Sequence, residues 1–161
     1  MSNASNGDTD RTASPRAANV GSEPTGDSRS ESSALGIILV DHGSRRAESN
    51  EMLLEVVARF ARTTSYPIIE PAHMELAEPS IRTAFARCVA RGARTVVVHP
   101  YFLLPGKHWT EDIPALAAAA AAEHPGVRYA VTAPLGLHPL MTRIIEERIA
   151  EALPRARTQI V

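Results

Sequence analysis

Leu35-Gly-Ile-Ile-Leu-Val-Asp-His-Gly-Ser44 passes from six uncharged, mainly aliphatic residues straight into Asp, His, Gly and Ser. A continuous apolar run of this length fits a strand covered on both faces, the environment of a parallel sheet. The polar quartet then falls at the carboxyl end of the strand, where open α/β sheets gather their ligands. Working outward, Leu53, Val56, Val57 and Phe60 recur at helical spacing. Residues 67–74 read as a second strand, whose prolines predict an edge position or irregular ends. Ile81, Phe85, Cys88 and Val89 stripe a second helix, and Arg91-Gly92 supplies a glycine C-cap. Thr95-Val-Val-Val98 is a β-branched strand leading into the loop His99-Pro-Tyr-Phe-Leu-Leu-Pro-Gly-Lys-His108. Thr110 is expected to cap the next helix, with Glu111 and Asp112 in its first turn and alanine over 117–122. Pro125-Gly126 ends that helix before a strand at 127–131, and Met141, Ile144, Ile145, Ile149 and Leu153 mark a last helix. The order βαβαβαβα predicts a three-layer α/β sandwich around a mainly parallel four-stranded sheet, with right-handed crossovers.

Composition narrows the function. With 161 residues, 44% of them hydrophobic, the chain can bury one substantial core. A net charge of −1 gives no basic stripe for a nucleic-acid partner. Cys88 is the single cysteine, so no intrachain disulfide forms and a reducing compartment is natural. No apolar run approaches the roughly 20 residues that span a bilayer, and the first residues lack the apolar core of a secretory signal. A soluble, cytoplasmic protein is expected. Residues 1–33 contain no aromatic residue, Leu or Ile, so they cannot offset their ordering entropy and are expected to be a disordered, dispensable extension. A single domain is expected over residues 34–155, with a C-terminal tail at 156–161.

Three ionisable positions fall on the carboxyl edge of this predicted sheet. His42 follows the first strand, Glu75 the second, and His108 lies in the loop after the third. Two imidazoles and a carboxylate suit a borderline transition metal such as Co²⁺, Ni²⁺, Fe²⁺ or Zn²⁺. A set this small leaves coordination positions open, as catalysis or metal transfer requires. Ser44 beside His42 lacks the G-x-S-x-G elbow of a nucleophile and is expected to cap a helix. Neither G-x-G-x-x-G nor G-x-x-x-x-G-K-[ST] occurs, which removes the usual support for dinucleotide and P-loop sites. His73 alternates with Glu75 but is assigned a structural role. His99 is expected to hydrogen-bond at the loop start, and His124 to sit in a surface turn. His138 either borders the cleft or caps the last helix, and Cys88 packs in the core.

Asp41-His-Gly-Ser44, Met74-Glu-Leu-Ala-Glu-Pro-Ser-Ile81 and Pro100-Tyr-Phe-Leu-Leu-Pro-Gly-Lys-His108 together resemble the CbiX and SirB sirohydrochlorin chelatases. Thr110-Glu-Asp-Ile-Pro114 and Pro134-Leu-Gly-Leu-His-Pro139 extend the likeness in the same order, from about Leu35 to Leu153. The resemblance implies the chelatase-like α/β fold and insertion of Co²⁺ into sirohydrochlorin for cobalamin synthesis. Fe²⁺ insertion for sirohaem, Ni²⁺ insertion, or a non-catalytic metal or tetrapyrrole carrier are the alternatives. It maps metal binding onto His42 and His108 and the acidic cleft residue onto Glu75, as proton acceptor or third metal ligand. The tetrapyrrole is the substrate, so no organic cofactor is expected. Its carboxylates require cations nearby, for which Arg45, Arg46 and Lys107 are candidates, with Ser44 beside them. Longer relatives hold two such halves about one cleft, so this chain resembles the short form and is expected to work as a homodimer. The departures from the family pattern are the polar extension and His73, where an apolar residue is usual.

Overall fold

The computed structural model describes residues 35–104 and 106–156. The expected extension at 1–33 lies outside them, as does the expected tail at 156–161 apart from Ala156, which ends the last helix. In chain order the elements are β1 Leu35–Asp41, α1 Ala47–Thr63, β2 Ile68–His73, α2 Ile81–Ala90 and β3 Thr95–Pro100. There follow a π-helical turn His108–Asp112 that runs directly into α3 Ile113–Ala122, then β4 Arg128–Val131 and α4 Pro139–Ala156. The strands form one parallel sheet in the order β2-β1-β3-β4. The apolar run Leu35–Val40 therefore occupies an interior strand, and Pro71, which has no amide to donate, falls on the edge strand β2.

Strand alternation divides the apolar residues between two faces. Ile38 and Val40 of β1 join Val96 and Val98 of β3 against Phe85 and Cys88 of α2 and Ile113 and Ala117 of α3. This is the main core. Glycine at position 36 lets α2 come down onto β1: a Cβ there would lie 3.0 Å from Cys88 Cβ and 3.1 Å from Ala93 Cβ. The end of α2 is a Schellman turn, with Ala93 N–H donating to Cys88 O at 3.0 Å and Gly92 N–H to Val89 O at 2.9 Å. Gly92 has φ +96°, a left-handed conformation that costs glycine least.

The opposite face is thinner. Ile37, Leu39 and Leu53 are its buried residues, with Val56, Phe60 and Val97 partly buried around them. The predicted last helix forms as α4, but its apolar stripe is not covered: Ile144, Ile145, Ile149 and Leu153 are all exposed. One turn also departs from expectation. Helical structure begins at His108, so Thr110 is not an N-cap, and its hydroxyl instead donates back to the carbonyls of Gly106 and Lys107.

Phe85, with 0% exposure, is among the largest fully buried side chains of the core. Phe85→Ala should destabilise the fold by about 3–5 kcal/mol, combining lost transfer free energy with an uncollapsed cavity. Urea unfolding followed by circular dichroism would measure this, and a change below about 1 kcal/mol would contradict the packing described.

Candidate metal and macrocycle site

The carboxyl ends of β1 and β2 are stitched together by short contacts. Met74 N–H donates to Asp41 O at 2.8 Å, and Glu75 N–H to His42 O at 3.2 Å. The Asp41 Oδ1 atom accepts from Gly43 N–H at 2.9 Å and meets His73 Nδ1 at 2.6 Å. His73 is only 2% exposed, so this contact satisfies an imidazole that would otherwise be buried without a partner. Gly43 adopts φ +81°, and a Cβ there would stand 2.0 Å from Glu75 O. Only glycine allows the β1 and β2 loops to come this close.

This closeness sets two candidate residues face to face. His42 Nε2 lies 2.8 Å from Glu75 Oε1, and both side chains are about half exposed. The loop after β3 supplies the third. Tyr101 N–H donates to Val40 O at 2.7 Å, which starts that loop directly beside the end of β1. His108 then returns at the head of the π-helical turn, with its ring centroid 5.1 Å from that of His42 and the planes at 77°. Two imidazoles sharing a tetrahedral ion at nitrogen distances of about 2.0–2.1 Å would have centroids about 5 Å apart. All three expected residues are thus brought together, beside an open cleft of about 430 Å³ lined by Met74, Glu75, His108 and Asp112.

Asp112 is the residue that sequence reasoning missed. Its Oδ2 lies 2.8 Å from His108 Nδ1, one helical turn away. Donation from Nδ1–H to this carboxylate fixes the tautomer and leaves Nε2 as a basic lone pair, the usual outer arrangement of a metal-binding histidine. The i,i+4 spacing was the available signal, but Asp112 was read only as a first-turn acid. Among the described residues no three His, Cys, Asp or Glu side chains form a ready-made ion cage. The candidate donors are the two imidazoles, with Glu75 in contact with one of them.

The remaining candidates divide by role. Ser44 does not cap α1; its hydroxyl accepts from Arg46 N–H at 3.1 Å, within the loop. Asn50 clamps the Ser44 backbone instead, accepting from its N–H and donating to its carbonyl, both at 2.9 Å. Arg45, Arg46 and Lys107 are exposed, and among the described residues none of them forms an ion pair. Leu76, Leu103 and Leu104 are exposed in the loops that carry Glu75 and His108. Leu76 has φ +65°, an uncommon conformation for a non-glycine residue immediately after Glu75.

Three other histidines are accounted for elsewhere. His99 Nδ1 contacts Thr132 Oγ1 at 2.7 Å, and burial holds its pKa below the usual histidine value, favouring the neutral ring. His138 Nδ1 accepts from Leu140 N–H at 3.2 Å and so caps α4, which decides between its two expected roles. His124 stacks on Phe85 at 5.6 Å. Cys88 is buried as expected, and desolvation pushes its thiol up to about 12.

Comparison with known proteins gives the family and the fold. The sequence profile of the CbiX family matches residues 36–152. The chain is 59% identical over 120 residues to the sirohydrochlorin ferrochelatase, chloroplastic, of Arabidopsis thaliana, covering 74% of this chain and 53% of that protein. Its fold matches the sirohydrochlorin chelatase SirB from Bacillus subtilis subspecies spizizenii, solved in complex with cobalt. There the TM-score is 0.70 at 31% identity, over 73% of this chain and 50% of that one. A putative cobalamin biosynthesis CbiX protein from Marinobacter aquaeolei VT8 matches with TM-score 0.66 at 33% identity, over 75% of this chain and 98% of that one. The chain spans about half the length of the first curated relatives it matches.

Gly43→Ala tests the contact that builds the site. The variant should keep the core but force the β1 and β2 loops apart, displacing His42 from Glu75. Affinity for Co²⁺, measured by calorimetry, should fall more than about tenfold, and strain at the positive φ should lower stability by about 1–3 kcal/mol while the native circular dichroism spectrum is kept. Unchanged affinity would mean that this close approach does not position the donors.

Proposed function

We propose that this chain, which belongs to the CbiX family, is a sirohydrochlorin chelatase that exchanges two pyrrole protons of the macrocycle for a divalent metal ion. The observation that carries this reading is the His42–His108 pair, 5.1 Å apart, with Glu75 2.8 Å from His42. Two neutral nitrogen donors hold an ion firmly enough to capture it and weakly enough to release it, leaving open positions toward the ring. Asp112 keeps the His108 lone pair aimed at the ion. Glu75 competes for the same His42 nitrogen that the metal needs. When the ion arrives, that nitrogen must be free of its proton, and Glu75 is the adjacent acceptor. Once the His42 proton has passed to water, half-exposed Glu75 receives each of the two protons leaving the macrocycle in turn and hands it to solvent.

The incoming ring is flat, apolar on its faces and carboxylated at its margin. Exposed Leu76, Leu103 and Leu104 offer apolar surface beside the donors, while Ser44, Arg45, Arg46 and Lys107 offer hydrogen bonds and charge for the carboxylates. The two-histidine set accepts several first-row ions and does not itself choose among them. The 59% identity to a ferrochelatase favours Fe²⁺ over the Co²⁺ expected from sequence. Cobalt remains the second reading, favoured by the cobalt complex of the structural relative. One chain offers one wall of donors, which supports a pair of chains enclosing the macrocycle.

Absorbance during incubation with sirohydrochlorin and Fe²⁺, Co²⁺ or Ni²⁺ tests the assignment. Repeated turnover is expected, fastest with Fe²⁺, whereas a carrier would stop at stoichiometric binding. His42→Ala and His108→Ala should each slow insertion more than about tenfold without unfolding the chain, and excess metal should restore only part of the rate. Glu75→Gln separates two roles for the carboxylate. Slow insertion with near-normal metal binding marks a proton acceptor; weakened binding marks a ligand. If both histidine variants turn over like the wild type, the metal site is wrong.

A further inference from the structure

His108 stands at the outer end of the turn that carries it. The other end is sunk in the core: Ile113 is 0% exposed, and its N–H donates to His108 O, closing the i→i+5 ring of a π turn. Most bonds at the head of the turn are local. Trp109 N–H and Thr110 N–H both donate to Gly106 O at 3.0 Å, the Thr110 hydroxyl donates to the carbonyls of Gly106 and Lys107, and Asp112 holds His108 Nδ1. Contacts of this kind shape the turn but move with it, so they do not set where His108 lies along the sheet edge. The indole of its neighbour reaches further. Trp109, partly buried, donates its Nε1–H to the Thr132 carbonyl at 3.0 Å, 23 residues along the chain.

We propose that Trp109 is a positioning residue: its bond to Thr132 holds the π turn against the end of β4 and so keeps His108 where it can share an ion with His42. The acceptor is itself fixed. Thr132 N–H donates to Val98 O at 3.0 Å, and the Thr132 hydroxyl, which donates to Ala133 O at 2.9 Å, receives His99 Nδ1–H at 2.7 Å. Val98 pairs with Ile38 and His99 with Leu39 of β1, the strand that leads into His42. Both imidazoles are thus referred to one frame, His42 through β1 and His108 through Trp109, Thr132 and β3. The anchor matters because a π turn is rarely stable by itself. Relaxation to an α turn would swing His108 by one residue's rotation, about 100° around the helix axis. Two donors aligned on one ion tolerate far smaller errors. This role rests on the reading of His42 and His108 as metal donors.

Trp109→Phe keeps an aromatic ring and removes the N–H. Trp109 is the single tryptophan of the chain, so its benzothiophene isostere, with sulfur in place of N–H, can be introduced at this position alone. The isostere carries the test if the smaller ring of the Phe variant unfolds the chain. Co²⁺ affinity, measured by calorimetry, should fall about three- to tenfold, the range that loss of one partly buried hydrogen bond allows. The visible bands of bound Co²⁺, whose intensity depends on coordination geometry, should change with it. The same substitution in a His108→Ala background shows how the effect is carried. A bond that acts through His108 gives no further loss there. Equal losses in both backgrounds mark a general loosening of the fold and overturn the proposal. Wild-type affinity in the Trp109 variants, with weaker binding by His108→Ala, overturns it too and leaves the metal site standing. If His108→Ala itself binds Co²⁺ like the wild type, the metal reading fails, and this role for Trp109 falls with it.

Discussion

The approach of Gly43 to the Glu75 carbonyl is the constraint on which the rest of the site depends, because a single methyl group there would stand 2.0 Å from a backbone oxygen. Two strand ends meet at that point, and each delivers one functional side chain. Asp41 supplies the means: its carboxylate accepts from Gly43 N–H and holds buried His73, joining the turn after β1 to the last residue of β2. A carboxylate bonded to groups on two strands is harder to displace than one bonded to its own turn. His42 and Glu75 are therefore aligned by backbone rather than by their own contact, so the contact can open when a ligand arrives without loss of the fold.

The two histidines are supported differently, and the difference bears on their chemistry. His108 is backed by Asp112 from one helical turn away, an arrangement that sets its tautomer before any ligand is present. His42 has no such support on its Nδ1 side beyond a 3.3 Å contact with the Gly43 carbonyl, and its Nε2 faces Glu75. One donor is thus preset, while the other exchanges partners. In the proposed metal transfer, that asymmetry would lower the cost of release compared with two equally preset ligands.

Much of this was legible from sequence because it follows from short-range patterning. The run at 35–40, the β-branched residues at 95–98 and the proline-bearing edge strand all specify their strands locally, and strand ends in a parallel sheet share one edge. That logic puts His42, Glu75 and His108 on one edge, and the resemblance to the chelatases implies their roles. What escaped depends on direction rather than identity. Asp112 belongs to the first turn of a helical segment that begins at His108, whereas a cap at Thr110 leaves His108 outside the helix and hides the i,i+4 relation between them. Ser44 was given a capping role that its hydroxyl does not perform, because Asn50 reaches back across six residues to fix the same backbone. Sequence periodicity shows that α4 has an apolar face; it says nothing about which surface receives it.

That last distinction has energetic weight. Burying an aliphatic side chain is worth about 1.5–3 kcal/mol, and α4 exposes several of them, while helices in proteins draw most of their stability from packing an amphipathic face. The α2–α3 face is closed by Phe85, Ile113 and their neighbours, so one side of the sheet is stable without assistance. The α1 face holds His99, whose pKa burial lowers, near the ends of β1 and β3 from which the loops to His42 and His108 depart. Packing on the α1 face and placement of His42 and His108 therefore act through the same two strands, β1 and β3.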